Sequence, residues 1–361
     1  MFNSISVSGY KGLSDLKIFE VPRILLIGGQ NNVGKSSLLE AIFMALDRLN
    51  PDLLTRHFSF RGVGAVPLTL DSWWRPIFGE YNLTSPIKIR LLDSKNKWLE
   101  FIVRYDPSFT NYNIQQAGTL LQSPNKSSAT SIPAPVQALH ISASYGNRQI
   151  QDSNLVMQPQ GFSFQMNRAE GAAVAGVYIS SVSRSSPRDD SVRYGQLDLE
   201  NKTGPILDIV RLIDPRISDL SVVAIGEGSE IHANVDGFPR KIPVSLMGDG
   251  IGRILSITLS IFVSRSGVVL VDEIENGLHH SKLPEFWTVL TKACIAADCQ
   301  LVATTHNYEC LSAASKSTAE IDLSCFSYVR LDRSNRGKKL AVVQYSGDEL
   351  SAALAAEFEV R

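Results

Sequence analysis

Gly29-Gln30-Asn31-Asn32-Val33-Gly34-Lys35-Ser36 fits G-x-x-x-x-G-K-[ST], a loop that cradles phosphates. Its glycines let successive backbone N–H groups turn inward on an anion, and a helix starting at its end adds positive dipole there. Lys35 is expected to reach β- and γ-phosphates and Ser36 to ligate Mg²⁺, with Ser37 counted among the cofactor-binding residues. At ordinary residue frequencies the pattern arises by accident in roughly one chain in a hundred of this length. A second cluster sits far along the chain. Val268-Val269-Leu270-Val271 is an apolar run that ends in Asp272-Glu273. An aspartate at such a strand tip can hold Mg²⁺ through water, and the next carboxylate can polarise an attacking water as general base.

Two further segments belong with these. Ser245-Leu246-Met247-Gly248-Asp249-Gly250 is a glycine-rich turn ahead of an apolar helix. Its Gly248, Asp249 and Gly250 are candidates for a second anion contact. One chain has a single set of catalytic groups, so this turn suits a γ-phosphate bound on another copy. Thr304-Thr305-His306-Asn307 closes the next strand, and an imidazole there can hydrogen-bond a γ-phosphate or the attacking water. His306 and Glu273 are therefore the candidate catalytic pair.

These residues need elements to hold them. Arg23–Ile27 reads as a buried strand, and the residues from Ser37 to Leu46 carry apolar side chains at helical spacing. Strand, glycine loop and helix is the context that the first motif requires. Residues 267–271 and 301–304 read as buried strands joined by a helix over 284–297, which implies a parallel sheet. A strongly apolar helix spans 254–263, and 205–212 is helical. Residues 2–8 and 16–19 are expected to pair as an antiparallel hairpin beside the strand that bears the loop. Hairpins are also read over 86–105, 220–235 and 325–345, with further strands at 136–144, 161–166 and 174–180. Residues 111–135, rich in Gln, Asn, Ser, Thr, Ala and Pro, read as a mobile polar loop. Residues 183–194, polar and mixed in charge, read as another loop. Trp73-Trp74 is assigned to packing rather than to a binding platform.

The order of phosphate loop, Met-Gly-Asp-Gly turn, Leu-Val-Asp-Glu-Ile-Glu-Asn-Gly-Leu-His and Thr-Thr-His resembles the ABC-type ATPase heads of the OLD/RecF/SMC-like group. The resemblance covers about residues 1–50 and 174–361. It implies an α/β P-loop NTPase with a mixed, mainly parallel core sheet, an antiparallel β subdomain and an insertion over 51–173. It also implies ATP and Mg²⁺ as cofactors, and a head-to-tail dimer with two ATP held between phosphate loop and partner signature. Glu275–His279 would then be the loop that crosses the dimer interface. Met247 stands where the transporter signature carries serine, so Ser245 or the Gly248–Gly250 backbone must supply that contact. Tyr178–Ser181 is the candidate for the glutamine loop. The chain's end soon after the last strand leads us to expect no Toprim nuclease domain.

Composition bounds the function. The chain has 361 residues, 44% of them hydrophobic and 20% charged, as expected of a globular protein with a substantial core. A formal net charge of −1 gives no global basic field for nucleic acid. The local basic cluster Arg330, Arg333, Arg336, Lys338 and Lys339 reads first as a solvated hairpin loop. The four cysteines form no C-x-x-C pair and are expected to be reduced packing residues. Without a signal-peptide pattern or a membrane-length apolar run, the expected location is the cytoplasm. The favoured reading is an ATP-driven switch, a homodimer or higher oligomer. It would control a separately encoded effector, such as a nuclease in phage defence. A RecF-like DNA-repair ATPase is the alternative, and a transporter subunit a weaker third.

Overall fold

The computed structural model describes residues 1–50, 53–56, 58, 67–109, 137–158, 161–171, 174–182, 186–226, 228–333, 340–358 and 360. The polar segment 111–135, the cluster members Arg336, Lys338 and Lys339, and the turn residue Glu227 lie outside these.

Buried runs of β-branched and aliphatic residues build the central sheet. It contains β3 (Ile24–Gly29), β9 (Gly176–Ile179), β13 (Val268–Val271), β14 (Gln300–Thr304), β15 (Phe326–Arg333) and β16 (Leu340–Ser346). The order is β16-β15-β3-β14-β13-β9, with every pair parallel except the hairpin β15–β16. β3, β13 and β14 are buried at every position, as expected of parallel strands covered on both faces.

One face of that sheet is covered by α1 (Lys35–Leu46) and by a second, seven-stranded antiparallel sheet. The latter runs β2 (Leu16–Ile18), β1 (Phe2–Ser8), β4 (Ile87–Asp93), β5 (Trp98–Asp106), β6 (Ala138–Tyr145), β7 (Arg148–Gln158), β8 (Gly161–Ala169). Every α1 residue from Ser37 to Leu46 is buried, because the helix is sandwiched between two sheets. Leu25 and Ile27 of β3 face this layer, whereas Ile24 and Leu26 face the other. Each such side chain contributes roughly 2 kcal/mol by leaving water. The hairpin of β1 and β2 forms as expected, but it does not lie beside β3 in one sheet. Two buried polar side chains join the layers instead. Gln300 donates to the carbonyls of Phe2 (2.8 Å) and Pro22 (2.9 Å) and accepts from Phe2 N–H (2.9 Å). Glu40, 2% exposed, accepts from Tyr10 Oη at 2.8 Å and pairs with Lys11. Trp74, fully buried, packs as expected in the same layer, beside the short helices α2 (Leu53–Arg56) and α3 (Leu70–Trp73).

The other face carries α7 (Leu283–Ala296), α8 (Tyr308–Ala319) and α9 (Gly347–Ala355). All four cysteines lie buried here, and burial holds each thiol above its ordinary value, Cys299 and Cys310 at about 12 and Cys325 at about 11. A third core joins the small sheet of β10 (Ile217–Ile225), β11 (Gly228–Val235) and β12 (Ile242–Pro243) to α4 (Pro187–Leu199), α5 (Gly204–Arg211) and α6 (Asp249–Val263). Here the structure corrects the reading of 183–194 as a loop: from Pro187 onward it is helix. Among the described residues no helix is long and apolar enough to cross a membrane.

Candidate functional site

The phosphate loop leaves β3 and enters α1 as its spacing requires. Gln30, Asn31 and Asn32 are exposed at its crest, while Val33, 2% exposed, anchors it in the core. Gly29 and Gly34 have φ of +122° and +114°. A Cβ on Gly29 would stand 2.1 Å from the carbonyl oxygen of Leu331, so only glycine fits between loop and β15. Lys35 donates to the carbonyls of Gly29 (2.7 Å) and Gln30 (3.0 Å), which folds the side chain back over the loop. Burial lowers its pKa, and Asp272, Glu273 and Glu275 oppose that shift.

Parallel pairing brings the second cluster to the same sheet edge. Asp272 follows β13, Thr304 ends β14 and Ser181 lies just past β9. Asp272 is 5% exposed. Its Oδ1 accepts from Ser36 Oγ (3.0 Å) and Thr304 Oγ1 (2.7 Å), and its Oδ2 from Ser181 Oγ (3.1 Å). These are hard oxygen donors on one carboxylate beside the phosphate loop, a set that fits Mg²⁺ completed by phosphate and water. No group of three or more His, Cys, Asp or Glu suited to a metal occurs among the described residues.

Glu273 sits in the left-handed region at φ +49°, uncommon for a non-glycine residue. Its N–H donates to Thr304 Oγ1 (2.8 Å), and Asn276 Nδ2 donates to its Oε2 (2.6 Å). The other carboxylate oxygen faces the ring of His306, with Nδ1 3.9 Å from Oε1. The Glu273 and His306 side chains are 39% and 47% exposed, so the reactive end of the site is open to water.

The Gly248–Gly250 turn borders this cluster, Gly248 lining one cavity with Ser181, Arg253, Asn276 and Gly277. Gly248, at φ +98°, caps the N-terminus of α6, and a Cβ there would point into open space. Gly250 differs: a Cβ would lie 2.2 Å from the Gly277 carbonyl oxygen, so its missing side chain serves packing within the chain. Glycine at 250 is thus required by packing within the chain, whatever contact its backbone makes to a phosphate on another copy. Arg253, one turn along α6, donates to the carbonyls of Ser180 (3.1 Å), Glu273 (2.9 Å) and Asp272. Burial lowers its pKa, with Asp272 and Glu273 opposing.

The sequence reading did not assign roles to Ser181, Thr304, Asn276 or Arg253. Ser181 had been noted only within the glutamine-loop candidate. Ser181 and Thr304 take their places from strand order, which no local pattern reveals, whereas Asn276 reaches Glu273 within its own turn and Arg253 arrives on α6.

A mainly parallel sheet with a phosphate loop, a Ser–Asp pair and an acid–imidazole pair along one edge is the arrangement of a P-loop ATPase. Residues 24–312 match the family model described as "AAA domain, putative AbiEii toxin, Type IV TA system", and the chain belongs to that family. It is 20% identical over 300 residues to an ATP/GTP phosphatase of Helicobacter pylori (strain ATCC 700392 / 26695), covering 78% of each protein. Its fold is similar to that of an SMC head solved bound to the C-winged helix domain of ScpA. That match has a TM-score of 0.50 and 12% identity, over 98% of this chain and 99% of the other.

Proposed function

We propose that the chain is an ATP-driven switch that closes head to tail on two ATP and opens on hydrolysis, thereby controlling a separately encoded effector. The observation that carries this reading is the half-exposed Glu273–His306 pair at the mouth of the phosphate loop. Efficient hydrolysis needs water excluded around the γ-phosphate, and one copy leaves that side uncovered. The Gly248 turn of a second copy suits the task. It is open, it carries a helix N-terminus, and Leu246 beside it is 76% exposed. The family description, which names a toxin of a TA system, supports pairing with another protein. An effector nuclease in phage defence is the form of that pairing we favour.

In this reading Gly29–Ser37 binds the phosphates, and Lys35 swings from the Gly29 and Gln30 carbonyls to the β- and γ-phosphate oxygens. Ser36 and Asp272 would hold Mg²⁺, which when bound neutralises charge building up on the transferred phosphoryl group. Glu273 takes a proton from the attacking water, and His306 orients that water or a γ-phosphate oxygen. Glu273→Gln keeps the shape and removes the base. We expect ATP turnover to fall by roughly 10²–10⁴-fold and light scattering to show a dimer that persists in ATP. Lys35→Ala should bind no ATP and remain monomeric. A Glu273→Gln protein that turns over normally, or stays monomeric at saturating ATP, overturns the reading.

A further inference from the structure

Glu275 stands two residues past the candidate base, and its side chain turns inward, 6% exposed. Its Oε1 accepts from Thr305 Oγ1 at 2.8 Å and from the His306 backbone N–H at 3.0 Å. The same oxygen lies 3.3 Å from His306 Nδ1, near enough to pair with a ring N–H once the ring turns into line with it. Behind it the Cys310 thiol is pushed up to about 12, first by burial and next by the Glu275 charge, so it stays neutral. A carboxylate oxygen with two donors already in place can bond an imidazole nitrogen only if that nitrogen carries hydrogen.

We propose that Glu275 is a positioning residue for ATP hydrolysis: it keeps a hydrogen on His306 Nδ1 and holds the ring so that Nε2 faces the reacting groups. This rests on the role given above to His306. In the neutral ring Nε2 accepts a hydrogen bond from the attacking water. In the protonated ring Nε2–H donates to a γ-phosphate oxygen. Glu275 serves both states, because Nδ1 is a donor in each. The arrangement follows the general logic in which a third group orients the ring that acts on the nucleophile.

The test compares turnover of Glu275→Ala, Glu275→Gln, His306→Ala and the double variant Glu275→Ala/His306→Ala. Glutamine keeps a carbonyl oxygen where Thr305 Oγ1 and the His306 N–H fix it, so Glu275→Gln should stay within about three-fold of wild type. Glu275→Ala should lose roughly 10–100-fold in kcat with ATP affinity unchanged, the scale seen when outer-shell partners are removed. In the His306→Ala background the same change should cost nothing more. An equal loss in both backgrounds overturns the positioning role while leaving that of His306 intact. Wild-type turnover by His306→Ala sinks the role of His306, and this one with it. Imidazole ¹⁵N NMR of the wild-type protein gives a check that needs no variant. Hydrogen on Nδ1 of His306 is expected, and its absence overturns the proposal.

Discussion

Thr304 ties both halves of the candidate site together with one hydroxyl. It donates to Asp272 Oδ1 and accepts from the Glu273 N–H, and it is fully buried. The second bond pins the residue whose backbone is left-handed. Thr304→Val keeps the volume and removes both bonds, so a part-buried N–H and a buried carboxylate lone pair lose their partner. We expect a loss of about 1–3 kcal/mol in stability, read from the urea midpoint. Turnover should fall together with it, while ATP binding by the Lys35 loop persists. Unchanged turnover would show that Glu273 holds its conformation without this tie. Residues of this kind were the least legible in the sequence. Lys35, Ser36, Asp272 and Glu273 announce themselves by spacing within one segment. Thr304 and Ser181 matter only because β14 and β9 flank β13, and that adjacency is a property of the fold.

Among the elements, α4 was misread for an identifiable reason. Its buried residues are Asp190, Ser191, Tyr194 and Leu197, so the face it presents to the core is half polar. Apolar periodicity, the strongest helix signal, is therefore weak there. β7 escaped notice in the same way, since it buries Gln151, Ser153 and Asn154. Strands such as β3 and β13, buried on both faces, were legible because nothing polar interrupts them. The polar face of α4 has a consequence for pH. Asp190 bonds Ser256 of α6 and pairs with Arg193 at 2.8 Å, yet burial outweighs both and raises its pKa above 3.8. The folded state thus favours the neutral acid. The stabilisation is complete below the unfolded value and is lost as pH rises through the raised folded one. Asparagine does not titrate. Relative to wild type, Asp190→Asn should therefore gain thermal stability as pH rises above the ordinary aspartate range. A difference between the two melting curves that is flat with pH would contradict this.

For the whole molecule, the proposed two-chain site makes a prediction that no single chain can meet. Gly248→Arg should leave ATP binding by the Lys35 loop intact while blocking closure on a partner. A side chain at 248 meets open space, whereas one at 250 would collide with Gly277. Backbone at φ +98° and ψ 158° is strained for any other residue, so the melting curve of Gly248→Arg must first match wild type closely enough to show a folded protein. In a mixture of Gly248→Arg and Lys35→Ala proteins, each mixed dimer has one site with an intact loop facing an intact turn. The other site carries both lesions. Partial recovery of ATPase activity on mixing is expected. Normal hydrolysis by Gly248→Arg protein as a monomer would sink the two-chain site. Following such closure calls for reporters on the surface, and the buried cysteines bear on where these can go. All four thiols lie in the core beneath α7, α8 and α9, held in the un-ionised form that reacts poorly with alkylating agents and peroxides. The native chain thus offers a silent background to maleimide dyes and spin labels. A single cysteine introduced at an outward position such as Leu199, 88% exposed, would be the one reactive thiol on the folded protein, with no need to strip the others from its core.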